Sequence, residues 1–141
     1  MKHWILATLL CLGTMTTVVA QSKADRRVAY TLRNLKLDKK TQSQLEPLLR
    51  QYLKEKKAAT KEYDDLKDKY KAAEKAGTLT DSQAKQLLDA KFKADAAELQ
   101  VKIRWRAEFA KVVKARQVWY VFDYIGDKMS KVDGKNKDDD D

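Results

Sequence analysis

Apolar side chains recur at helical spacing through most of this chain, and the period barely wavers from Leu45 to Val113. Between Asp38 and Ala76, Leu45, Tyr52, Ala59, Leu66 and Ala73 fall seven residues apart, with Leu49, Lys56, Tyr63 and Tyr70 as a companion row. Two such rows describe a coiled-coil-like seam, and Lys56 is a charge set into it. The pattern predicts one helix of about 58 Å. Asp38 is placed to cap its start. Pro47, in the third turn, is expected to kink it, because proline removes a backbone donor and crowds the preceding turn.

Lys75-Ala76-Gly77 predicts the stop, since glycine accepts the left-handed conformation that closes a helix. Thr80 and Gln83 then have the spacing of a capping box, with Leu79 just outside it. In the helix that follows, Leu88, Phe92, Ala96, Leu99, Ile103, Arg106, Ala110 and Val113 form the expected core stripe. Val101, Trp105, Phe109 and Val112 widen it, so that more than one partner helix is needed. Val28, Leu32 and Leu35 predict a short helix before this pair, over residues 21–34. Val118, Phe122, Ile125 and Met129 predict another after it, from about Ala115 to Lys128. The expected fold is therefore all-α: a long antiparallel helical hairpin with a short helix at each end.

The two ends of the chain break the pattern. Met1–Ala20 has a basic start at Lys2, an apolar run from Trp4 to Leu12 and a small-residue site at Val18-Val19-Ala20. These are the parts of a secretory signal peptide, and the run is too short to span a bilayer. Cys11 follows Leu10, whereas lipoprotein processing wants a small residue there. Removing the leader removes the single Cys and the single His, so no thiolate or imidazole remains for a zinc, copper or nickel site, and no cofactor is expected. Residues 130–141, ending in Asp138–Asp141, offer nothing to bury and are expected to form a disordered acidic tail. The expected domain is then residues 21–129 of an exported protein.

Charge is unevenly shared. The chain carries +9 in all, and residues 21–57 hold eleven basic and four acidic side chains. Residues 102–126 hold six and two, while the stretch between them is close to neutral. Folding the hairpin at Gly77/Leu79 sets Leu45 opposite Val112 and Tyr52 opposite Trp105. Both basic segments then meet at the pole away from the turn, together with Trp105, Phe109, Trp119, Tyr120, Phe122 and Tyr124. A basic protein attracts acidic partners: nucleic acid, anionic headgroups or acidic protein surfaces. Export argues against nucleic acid, and no apolar run after the leader argues for a stable membrane span. A basic surface edged with apolar groups suits unfolded proteins, which charge draws in and weak contacts retain. The candidate binding residues are Arg26, Arg27, Arg33, Arg50, Arg104, Arg106, Lys111 and Arg116. No nucleophile–base constellation or Gly-rich loop appears, so catalysis is not expected.

Leu79-Thr80-Asp81-Ser82-Gln83 is an LTxxQ motif, and Leu37-Asp38-Lys39-Lys40-Thr41 is a degraded copy of it. With the leader and the all-helical pattern, the chain from about Arg27 to Met129 resembles the Spy/CpxP family of periplasmic proteins of Gram-negative bacteria. The resemblance implies a four-helix protomer that dimerises into a curved, basic cradle and acts as an ATP-independent chaperone for envelope proteins. Other members restrain a stress-sensing histidine kinase, and a metal-binding branch exists that the missing His and Cys disfavour. In this family the motif is structural, which gives Asp38, Gly77, Leu79, Thr80 and Gln83 a role in folding. The second motif departs from the pattern, with Asp38 in place of Thr and Thr41 in place of Gln. The competing expectations are a regulator that docks on a sensor kinase and a Skp-like chaperone for outer-membrane proteins, the latter usually trimeric.

Overall fold

The computed structural model describes residues 22–128; the expected leader and acidic tail lie outside the described residues. Four helices follow in order, α1 (Lys23–Leu35), α2 (Lys39–Ala76), α3 (Asp81–Ala110) and α4 (Ala115–Phe122), and α4 runs on into a π-helical segment, Asp123–Lys128. No strand occurs among the described residues. The two long helices pack along each other, and α1, α4 and the π segment gather at the end away from the turn.

The helix ends are fixed by local chemistry. Ser22 and Asp25 form a reciprocal capping box at α1, which the sequence reading had not picked out. The Asp38 carboxylate accepts from the Thr41 amide at 3.2 Å, a cap without the reciprocal bond of a capping box. Gly77 has φ +66°, and the Thr78 amide donates to the Ala73 carbonyl at 2.9 Å, closing α2. Thr80 and Gln83 complete the second box, with Thr80 N donating to Gln83 Oε1 at 3.1 Å and Gln83 N donating to Thr80 Oγ1 at 3.2 Å. Leu79 is half-buried beside it. α1 ends instead on Lys36 at φ 51°, a left-handed position held by a residue with a Cβ.

α2 continues through Pro47 undivided. The proline is exposed, and the turns on either side of it are anchored by the fully buried Leu45 and Leu49. The carbonyl that loses its partner can therefore turn to solvent.

Thirteen buried side chains form one cluster at the pole, drawn from all four helices and the π segment. Tyr52 is at its centre, with the rings of Trp105, Phe109 and Phe122 at 6.4, 5.8 and 5.8 Å. The expected Tyr52–Trp105 pairing is thus present. Farther out the hairpin is a two-helix arm, in which Tyr70 Oη donates to Gln86 Oε1 at 2.8 Å and Lys93 meets Glu62 at 2.7 Å.

The expected core stripe of α3 must be corrected. Its buried face is Ala90, Ala94, Val101, Trp105 and Phe109. Leu88, Phe92, Leu99 and Ile103 are exposed, Phe92 to 64%. Two features set this rotation. Ala90 and Ala94 allow α3 to lie close against the half-buried Tyr63, Leu66 and Tyr70 of α2. At the head, Trp105 Nε1 donates to Glu55 at 2.8 Å, and Glu98 meets Lys56 at 3.2 Å.

A candidate binding surface at the four-helix head

The charged set into the α2 seam is answered across the hairpin. Glu98 on α3 accepts from Lys56 at 3.2 Å and from Lys102 at 2.7 Å. Burial works against its ionisation, but the two ammonium groups outweigh this and hold its carboxyl below the ordinary range. Next to it, burial pushes the Tyr52 hydroxyl up to about 12, and the Glu98 carboxylate adds to the shift. Glu55 is held low chiefly by the Trp105 indole N–H it accepts from.

These pairings divide the eight expected binding cations. Arg50 is held by Asp25 and Glu46, Arg104 by Glu55, and Lys111 by Glu108. Their charge is largely neutralised locally. Arg33 lies 5.9 Å from the Tyr30 ring centre, on the side of α1 that faces Gln42 and Glu46. Arg26, on α1, and Arg116, near the start of α4, are exposed. Arg116 borders a depression with Lys114, Asn34 and Tyr120. Arg27 is half-buried with its Nε lacking a partner, and Arg106 is exposed. The eight therefore surround the head rather than forming one patch.

One side of the head nevertheless carries three adjoining depressions. The first, about 500 Å³ between α1 and α2, is bordered by Lys23, Arg27, Leu53, Lys56 and Lys57, with Asp64 at its edge. The second, about 330 Å³, is bordered by Tyr52, Lys56, Lys102, Ile103, Arg106 and Phe122. The third, about 530 Å³, is bordered by Arg106, Ala110, Ala115, Val118, Trp119 and Phe122. Trp119 is 74% exposed, whereas Trp105 and Phe109 are core. Sequence reasoning missed Lys56 and Lys102 as surface cations. The signal at Lys56 was a charge placed in an otherwise apolar seam, which had to meet a counter-charge; the apolar pattern carried none for Lys102.

Asp38, Gly77, Leu79, Thr80 and Gln83 take no part in this surface; they are at helix ends. Among the described residues, no cluster of His, Cys, Asp or Glu could hold a metal ion, and no helix is long and apolar enough to cross a membrane. Comparison with known proteins finds no matching family model, no matching curated protein and no matching solved structure.

Proposed function

We propose that this protein is an ATP-independent chaperone of the Gram-negative periplasm. It binds unfolded or stress-damaged envelope proteins and suppresses their aggregation, with no chemistry of its own. The observation that carries this reading is the exposure of large apolar side chains beside cations at the head: Ile103 and Trp119 flank Arg106. Isolated exposed apolar residues are ordinary, but a run of them rimmed by charge marks an interaction surface. Charge attraction raises the encounter rate, and shallow apolar contacts retain a client without demanding one sequence. The LTxxQ motif and the basic helical hairpin suggest the same role by their resemblance to the Spy/CpxP proteins.

The reading includes a homodimer. Leu88, Phe92, Ala96, Leu99 and Ile103 recur at steps of four and three along α3, and α2 already occupies the opposite face. A second copy of α3 is the simplest cover for such a seam.

The test is aggregation of several unrelated unfolded proteins, followed by light scattering with equimolar protein and no nucleotide. Suppression that weakens as salt rises is the expected result. No suppression of any client sinks the chaperone reading. A single saturable partner without any effect on aggregation would point instead to a regulator that docks on a sensor kinase.

A further inference from the structure

The three depressions on one side of the head share residues. Lys56 borders the first and second, and Arg106 and Phe122 border the second and third. Meeting at these shared side chains, they make up a trough of three parts whose chemistry changes from one to the next. The first part has four cations and one carboxylate, Asp64, which already accepts from Thr60 at 3.0 Å. The middle has Arg106 and two lysines, Lys56 and Lys102, which share Glu98 as their counter-charge, over Ile103 and Phe122. The last part has Arg106 as its one charge, among Ala110, Ala115, Val118, Trp119 and Phe122.

We infer that this trough takes an extended polypeptide segment of two-part chemistry, with carboxylates against Lys23, Lys57 and Arg106 and an aromatic or branched aliphatic side chain against Trp119. The inference rests on the chaperone reading and names the kind of client segment it selects. Arg106 stands at the junction, where a guanidinium can pair with a carboxylate on one side and stack on a ring on the other. Single-stranded nucleic acid fits less well. It is held by repeated aromatic platforms along a phosphate track, whereas here the exposed ring, Trp119, stands at one end and no aromatic residue borders the basic first part.

Fluorescence anisotropy with labelled peptides and the full chain tests this. One peptide carries a run of Glu followed by Phe-Leu; a second has Ser for Phe-Leu, and a third has Gln for Glu. The two-part peptide is expected to bind at least about tenfold more tightly than either control. Arg106→Glu should abolish the difference, and Trp119→Ala should reduce the two-part peptide to the level of the acidic one. Both residues are exposed, so the fold should tolerate the changes, and circular dichroism checks that it does. Equal affinity for two-part and acidic peptides overturns the inference, as does tighter binding of an oligothymidylate. Peptide binding that appears only after Asp138–Asp141 are changed to Asn would assign the trough to the chain's own acidic residues and overturn it too. Unchanged suppression of aggregation by Arg106→Glu and Trp119→Ala would remove the trough and leave the chaperone. Two-part peptide binding without any suppression would leave the trough and remove the chaperone.

Discussion

At the head, α2 gives Leu45, Leu49, Tyr52 and Leu53 to a closed apolar cluster, surrounded by α1, α3, α4 and the π segment. Along the arm the same helix offers only half-buried Tyr63, Leu66, Tyr70 and Ala73, and α3 answers with the buried Ala90 and Ala94. The heptad pattern continues from one region to the other; the number of helices around it changes. Two helices can shield only the strip between them, so the remaining apolar residues of α3 face outward. The head is thus a core and the arm a seam. Stability should be concentrated in the first, and the second should open at lower free energy.

Phe109 gives the sharpest separation of the two. It is fully buried and touches the Tyr52, Trp105 and Phe122 rings at 5.8, 5.5 and 5.7 Å. Phe109→Ala should cost about 3–5 kcal/mol, because the packed rings cannot collapse into the space left. Leu66→Ala, in the half-buried seam of the arm, should cost about 1 kcal/mol or less. Urea unfolding of both variants measures the contrast, and equal losses would mean that head and arm are one cooperative layer.

Tyr52 tests the head by pH. Its folded hydroxyl titrates near 12 against an ordinary 10, so the fold prefers the protonated form. The sign follows from linkage: this contribution is complete below pH 10 and is lost as pH rises through the folded value. After allowance for solvent screening the loss should be on the order of 1–2 kcal/mol. Tyr52→Phe should flatten that alkaline decline, read from urea midpoints at pH 9 and pH 11.5. A decline as steep as that of the wild type would place its cause elsewhere.

The helix boundaries were legible because they depend on a few neighbouring residues: Asp38 with Thr41, Gly77, and Thr80 with Gln83. The rotation of α3 was not. That helix carries apolar residues on two faces, and periodicity alone favoured the row with the larger aliphatic residues, Leu88, Leu99 and Ile103. What decides is the partner. Ala90 and Ala94 permit close approach, and the Glu98 and Glu55 contacts with Lys56 and Trp105 exist at one rotation only. The basic character of the pole could be read from segment charges. Which cations were already paired could not, because Arg50 meets Asp25 and Arg104 meets Glu55 across different helices. The trough has the same origin: Lys56, Arg106 and Phe122 become neighbours only when α2, α3 and α4 are brought together.

A smaller effect is expected at the turn that creates the arm. A Cβ at Gly77 would meet nothing within 4 Å, so Gly77→Ala tests backbone strain alone. At φ +66° it should cost about 1 kcal/mol, and Thr80→Ala, which removes a cap, about the same. Both losses should appear in hydrogen exchange near residues 70–90 while amides of the head keep their protection. Uniform loss of protection would instead couple the turn to the core.

The smallest effect on the fold, and the most informative about the arm, should come from Phe92→Ser. Phe92 is 64% exposed within one copy of the chain, so removing its ring should change protomer stability by less than about 0.5 kcal/mol. If a second copy covers the α3 seam, however, that ring lies near the centre of the contact. Solution mass should then fall from dimer to monomer, with unfolding losing its dependence on protein concentration. A wild-type monomer would remove the dimer from the proposal. A trimer would favour the Skp-like arrangement, in which hairpin arms project from a shared head. A dimer that survives both Phe92→Ser and Leu99→Ser would mean that the copies meet at the head, and the uncovered face of the arm would then be available to clients.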